Sequence, residues 1–211
     1  ETSSITNADL RWEWYFDENA GNSISVAVFY KEIEDAIERV VIAASGTAAN
    51  ARSFQNSELA ELTGVEVEGR ISFALTESGD SEFFVDINAA SIDSEVDTGG
   101  GTIGAMQGQP EYTANIILGY DDFSTDQQLT LLLNQNGETV ADRGIQGAAN
   151  VVLEPRLDVQ LVYRWDISEA LSLRAKIDNL LNEEFEYTQD NRVFQRYERG
   201  TSFQVGIDWE I

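Results

Sequence analysis

Asp93, Glu95 and Asp97 are spaced two apart in SIDSEVD. On an extended strand such residues project to one side, where three carboxylates could hold a hard cation such as calcium. The stretch lacks a glycine-turned loop with a bidentate Glu, so a solvated acidic rim is the better reading and no metal is expected. Gly99, Gly101 and Gly104 have the spacing G-x-G-x-x-G of nucleotide-binding turns, but Met106-Gln107-Gly108-Gln109-Pro110 follows where that motif needs a helix. The turn Asp17-Glu18-Asn19-Ala20-Gly21-Asn22 is also rich in side-chain oxygen, and its Asn and Gly are explained as turn formers. Arg143, Arg192, Arg196 and Arg199 fall in two segments, 137–155 and 180–200, of a chain short of positive charge. A guanidinium grips carboxylate or phosphate with two parallel hydrogen bonds, so these four are the candidate contacts for an anionic small-molecule ligand. Pairing with Asp142, Glu184, Glu186, Asp190 and Glu198 to hold the loops together is the stronger reading.

Catalytic chemistry has little to work with. The chain has no His and no Cys, which excludes a serine–histidine relay, a thiol nucleophile, zinc or haem sites on those ligands, and a disulfide framework. Pairs of carboxylates for glycoside hydrolysis can be drawn in so many ways that none is a signal. Neither an enzyme nor a cofactor is expected. With 13 Lys plus Arg against 38 Asp plus Glu and a formal charge of −25, the chain repels phosphate backbones, and nucleic acid is excluded as a partner. The acidity reads as a solvation device, one that could also bind divalent cations bridging to anionic lipid.

The elements that must position these residues are strands. The 211 residues are 42% hydrophobic and 10% aromatic, a composition that folds. No apolar run approaches the roughly 18 residues of a membrane helix. Period-two alternation recurs instead. Leu157, Val159, Leu161, Tyr163 and Trp165 share a face, as do Leu171, Leu173, Ala175 and Ile177, and Phe203, Val205, Ile207, Trp209 and Ile211. The pattern predicts about nine strands, near 10–17, 23–42, 62–76, 82–95, 111–121, 127–136, 156–166, 170–179 and 201–210. Short polar turns at 17–22, 77–81, 121–126 and 166–169 alternate with long loops at 43–60, 96–110, 137–155 and 180–200. In an up-and-down sheet this puts every tight turn at one end and every long loop at the other, as in outer-membrane barrels. Within KEIEDAIERVVI, Ile33, Ala36, Ile37, Val40 and Val41 recur at helical spacing, so 31–42 fits a helix locally as well as the strand preferred here. An odd strand count cannot close as a bacterial single-chain barrel, so either wall is missing before Glu1 or the count is off by one.

The sequence resembles the C-terminal barrel region of TonB-dependent outer-membrane receptors. The resemblance rests on SISVAVFYKEIEDAIERV at 23–40, GVEVEGRISF at 64–73, PEYTANIILGY at 110–120, PRLDVQLVYRWDISEALSLRAKIDNLLNEEFEYTQ at 155–189 and RYERGTSFQVGIDWEI at 196–211. Asn179-Leu180-Leu181-Asn182-Glu183 and Tyr197-Glu198-x-Gly200 are its sharpest pieces. It implies an all-β, antiparallel up-and-down transmembrane barrel in which residues 1–211 are the C-terminal part of a wall of roughly 22 strands. It further implies a place in the bacterial outer membrane and active uptake of a scarce ligand: a siderophore, cobalamin, carbohydrate or similar. The implied partners are outer-membrane lipid, the remaining strands, a plug domain facing the polar lumen, and a TonB-type energy-transducing protein acting through an N-terminal part without counterpart here. The family usually ends in Phe, whereas this chain ends in Ile211. Trp12, Trp14, Phe16, Tyr120, Tyr163, Trp165 and Trp209 lie near strand ends, where amphipathic rings suit the lipid interface. The alternatives are a small or split outer-membrane barrel with a structural role, and a soluble acidic β-sandwich binding carbohydrate.

Overall fold

The computed structural model describes residues 2–17, 21–42, 51–97 and 103–209, and every regular element among them is a strand. Nine long strands form one antiparallel meander: β1 (Ser4–Asp17), β2 (Asn22–Ile42), β3 (Ala51–Ala74), β4 (Ser81–Asp97), β6 (Tyr112–Asp122), β7 (Gln127–Asn136), β10 (Arg156–Ser168), β11 (Leu171–Asp178) and β14 (Ser202–Trp209). Each pairs with the next in that order. Five short strands complete the set: β5 (Ile103–Gly104), β8 (Thr139–Ile145), β9 (Val151–Leu153), β12 (Glu184–Gln189) and β13 (Arg192–Glu198). Among the described residues the sheet does not close, since β1 pairs only with β2 and β14 only with β11.

The sheet is inside out compared with a soluble one. Val28, Val65, Ile71, Phe73, Ile87 and Ile207 are exposed, while their polar neighbours Ser25 and Ser72 are buried. A soluble sandwich buries the apolar stripe; a membrane barrel presents it to lipid. The polar face is the hollow one, described below. β2 and β3, of 21 and 24 residues, rise well beyond an apolar band about 25 Å tall.

Segment 31–42 is strand throughout. Its helical spacing comes from an irregularity: Asp35 adopts a left-handed φ of 53°, and Asp35 and Glu58 drop out of a ladder that otherwise pairs Glu34 with Leu59 and Ala36 with Ser57. Below it the odd residue Ile33 is buried, and above it the even residues Ala36, Glu38 and Val40 are. A strand that switches parity once reads like a helix over one window.

The expected long loops contain more order than the alternation suggested. Residues 51–61 extend β3, 137–155 holds β8 and β9, and 180–200 holds β12 and β13. These short strands survive because they pair with one another in the order β8-β9-β12-β13 and dock on β2. The β2–β8 pairing is parallel, Val40 to Arg143 through Ile42 to Ile145. β8 thereby occupies the edge of β2 above the stretch taken by β1, whose pairing ends at Glu34. The turn at 18–20 and the glycines Gly99 and Gly101 lie outside the described residues. At the other turns the tight end is as expected, Leu75 donating to Ser81 at 2.8 Å and Asp122 accepting from the amides of Ser124 and Thr125 at 3.0 and 3.2 Å.

The apolar core is small and lies near the long-loop end. Ile33, Ala36, Ala60, Leu62 and Val96 are buried together, with Ile92 and Met106 packed against them. Met106 arrives there because the segment after β5 folds inward, its amide donating to Ser94 Oγ at 2.9 Å.

Candidate functional site: the inner wall and the mouth

Two regions gather polar side chains. The first is a hollow of about 270 Å³ on the inner wall, lined by residues of β1, β2, β3, β4 and β6, including Arg11, Glu68, Arg70, Asp86, Asn88 and Asn115. One cross-strand row runs through it: Glu13 faces Ser25, Ser25 faces Glu68, and the row continues through Asn88, Asn115 and Asn134 to Asp158. Alternation places these side chains on one face, and register brings them abreast. Asn88 donates to Glu68 at 3.1 Å and Asn115 to Asn88 at 3.5 Å. Asn134 donates to Asn115, and Asn136 to Asn134 at 2.8 Å. Ion pairs flank the row, Arg11 with Glu13 and Glu68, and Arg70 with Asp86 at 2.9 Å. The result is a hydrophilic lining whose side chains bond one another along the row, with Asp158 at its end paired to Arg156 through Oδ2 and its Oδ1 buried without a partner among the described residues.

The second region is the mouth, at the long-loop end. Arg143 on β8 is buried and clamps the buried Glu38 of β2, Nε to Oε2 at 2.6 Å and Nη2 to Oε1 at 2.8 Å. Its guanidinium also donates to the carbonyl of Ala105 and lies against Gly104, where an added Cβ would come within 2.8 Å of Nη1. The third glycine of the G-x-G-x-x-G spacing thus makes room for an arginine rather than a phosphate. Asp142, equally buried, pairs with Arg39 and, at 2.9 Å, with Arg52. Gln107 fills the gap in the β2 edge between β1 and β8: its Oε1 accepts from the Arg39 amide at 2.6 Å, and its Nε2 donates to the carbonyls of Arg39, at 3.1 Å, and Ala141.

Outward of this lies the β12–β13 hairpin. Phe185 and Tyr197 stack with centroids 4.8 Å apart, and the Arg156 guanidinium sits 4.1 Å from the Phe185 ring. Burial, then contact with Tyr197, pushes the Tyr187 hydroxyl up. Arg196 bonds Glu186 and, at 3.2 Å, Glu184. Arg192 and Arg199 are exposed. Arg192 lines, with Phe194 and Gln189, an open hollow of about 490 Å³ between the tips of the two hairpins. The four sequence-flagged arginines are therefore not one cluster: Arg143 is inside the wall and the other three are on the hairpin or its foot.

Asn179 explains the sharpest sequence motif. Its buried carboxamide accepts from the Glu183 amide at 2.9 Å and donates to the carbonyls of Glu183 and Gly200 at 3.1 and 3.2 Å. Thr201 Oγ1 donates to the Asn179 carbonyl at 2.9 Å. The two feet of the hairpin are clasped by one side chain.

Residues 1–180 match the family described as TonB dependent receptor-like, beta-barrel. The chain belongs to this family. A comparison with curated proteins finds no relative. Among solved structures, this TonB-dependent receptor barrel is similar in fold to the FrpB iron transporter from Neisseria meningitidis. For the F3-3 variant the TM-score is 0.66 at 13% identity, over 99% of this chain and 30% of that one. For the F5-1 variant it is 0.64 at 13%, over 97% and 31%. The chain thus spans about a third of the length of these neighbours.

In the receptor barrel the flagged aromatics share the apolar outer face. Trp12, Trp14, Tyr120, Trp165 and Trp209 are exposed. Tyr163 is half-buried, its hydroxyl donating to Gln127 at 2.7 Å. One register row near the tight-turn end runs Phe73, Phe83, Tyr120, Leu129, Tyr163. Asp93 and Glu95 are exposed on the outer face of β4, with Asp97 beside them. Among the described residues no group of three acids is arranged to hold a metal ion. Glu38 and Gln107 escaped the sequence reading, and Asp142, named there as a partner for the loop arginines, pairs instead with Arg39 and Arg52.

Proposed function

We propose that residues 1–211 are the closing part of the wall of an outer-membrane TonB-dependent transporter, one that surrounds a plug supplied by the rest of the protein. The observation that carries this reading is the two-sided sheet, apolar and aromatic outside, polar and internally hydrogen-bonded inside. The wall performs no chemistry; it insulates a polar passage from lipid and shapes its mouth. Trp12, Trp14, Tyr120, Tyr163, Trp165 and Trp209 form interface girdles, and the family implies energy from a TonB-type partner. The FrpB neighbours are iron transporters, and an anionic iron chelate suits the exposed Arg192, Arg196 and Arg199.

The test is the intact mass of the native polypeptide extracted from outer membranes. A chain several times heavier than 23.4 kDa, carrying these residues, is expected. A soluble polypeptide of this mass alone would overturn the reading. Charge reversal of the three exposed arginines should then weaken binding of an anionic chelate without unfolding the barrel.

A further inference from the structure

Asn136-Gly137 is the one Asn-Gly step in the sequence. Such a step carries its own reactivity. When the Gly137 amide gives up its proton to water, its nitrogen can attack Asn136 Cγ; a C–N bond forms, the bond from Cγ to Nδ2 breaks, and ammonia leaves. Water then opens the five-membered imide at either carbonyl, giving aspartate or isoaspartate. Glycine is the permissive neighbour because it has no side chain to hinder the close approach.

The wall withholds each requirement of this reaction. Asn136 ends β7 with partners on both sides, Thr113 of β6 and Arg156 of β10. An extended backbone keeps the main-chain N–H in the plane of the sheet and the side chain out of it, so the nitrogen and Cγ are held apart. The Gly137 amide donates to the Tyr112 carbonyl at 2.8 Å, which occupies its proton. The Asn136 carboxamide is engaged along the inner wall, its Nδ2 donating to Asn134 Oδ1 at 2.8 Å. Gly137 is buried, and the Tyr112 ring covers it so closely that an added Cβ would come within 2.8 Å of the ring. Just beyond, Thr139 Oγ1 donates to the Gly137 carbonyl and the Glu111 amide to the Glu138 carbonyl, both at 3.3 Å.

We propose that Asn136 is a latent deamidation site, closed by the β6–β7–β10 ladder and the Tyr112 cover, and open in any chain whose β7 end has come loose. The modification is one-way. Isoaspartate routes the main chain through its side-chain carboxyl and lengthens it by one carbon, so the last pairs of β7, with Thr113 and Arg156, cannot re-form in register. Aspartate removes the Nδ2 donor that reaches Asn134, where the row of carboxamides begins. Modified chains are thereby marked as ones that had opened. The site is independent of the transport reading, since it uses only the ladder and the turn.

The test is incubation of the full-length receptor at mildly alkaline pH, folded in detergent micelles and in parallel unfolded in urea, with peptide mapping for the deamidation mass gain and for isoaspartate at residue 136. The unfolded chain is expected to modify there at least about tenfold faster than the folded receptor, and faster than at its own Asn134 or Asn182. Tyr112→Ala uncovers Gly137 while keeping the carbonyl, and should raise the folded rate severalfold with the urea rate unchanged. Equal rates in the folded and unfolded receptor would overturn the proposal. So would an unfolded chain that modifies Asn136 no faster than Asn134, or a folded Tyr112→Ala receptor no faster than native. If that variant fails to assemble, the folded and unfolded rates of the native receptor decide alone.

Discussion

Asn88 and Glu68 face each other across the β3–β4 pair, the carboxamide donating to the carboxylate at 3.1 Å. Behind Asn88 the same donation repeats, Asn115 to Asn88, Asn134 to Asn115 and Asn136 to Asn134. All four donors therefore run one way, toward a carboxylate that also accepts from Arg11 and Ser25. Aligned amides polarise one another, so the row is worth more together than as separate pairs.

Asn115 is the middle link, and Asn115→Leu leaves the Asn88 oxygen and the Asn134 amide without their partners. A loss of about 1–3 kcal/mol is expected. The unfolding midpoint of the receptor in urea, compared with Asn115→Gln, checks it.

Gly119 faces Phe84 across the β4–β6 pair. A Cβ at Gly119 would sit 2.0 Å from the ring, so Gly119→Val forces the buried Phe84 side chain out of place. The expected cost is about 1–3 kcal/mol. Combined with Phe84→Ala the two losses should be less than additive, which a double-mutant cycle reads directly.

Outer and inner faces should answer differently to the same charge. Val67→Arg puts a guanidinium on the exposed apolar face of β3 and should cost about 2–4 kcal/mol if that face meets the middle of the bilayer. Gln160→Arg, on the polar face of β10, should cost less than about 1 kcal/mol. Refolding into lipid vesicles, followed by the tryptophan signal, separates the two.

Glu138, in the turn between β7 and β8, has its carboxyl pushed above the usual carboxylate range, first by partial desolvation and then by the charges of Glu111 and Glu154. The folded protein therefore holds this proton to higher pH than the unfolded chain does. The contribution is full below about 4.5 and is lost as pH rises through the folded value. Glu138→Gln should remove that part of the pH dependence, so the variant gains stability relative to native as pH climbs. Midpoints measured for both proteins across the acid range to neutrality give the difference, and parallel curves would contradict it.

Much of the wall was legible because a sheet with lipid on one side and water on the other writes its register as strict alternation. Leu157 through Trp165 needed nothing more. The mouth was not legible, because β8, β9 and β12 are too short to display a period and are held by long-range partners. Asp190 and Asn191, with φ of 53° and 57°, form the two-residue turn that Asp and Asn favour, and they were the available sign of a hairpin. Arg143 was legible as a candidate ligand contact, with ion pairing inside its own loops the stronger reading, because type and segment were visible, whereas its partner Glu38 lies 105 residues away. The motif around Asn179 was visible as a pattern; its reason, three bonds across the feet of a hairpin, needed the geometry.

The irregularity at Asp35 is a change of reading frame in a two-sided text. Below it, odd positions of β2 address the lumen; above it, even positions do. A substitution planned by counting twos from Ile24 lands on the wrong side once it passes residue 35, so Glu38 would be mistaken for an outward charge. Grafting the upper loops onto another barrel of this kind must carry Asp35 and Glu58 along. A graft cut above them would turn Glu38 outward and leave Arg143 facing an empty seat.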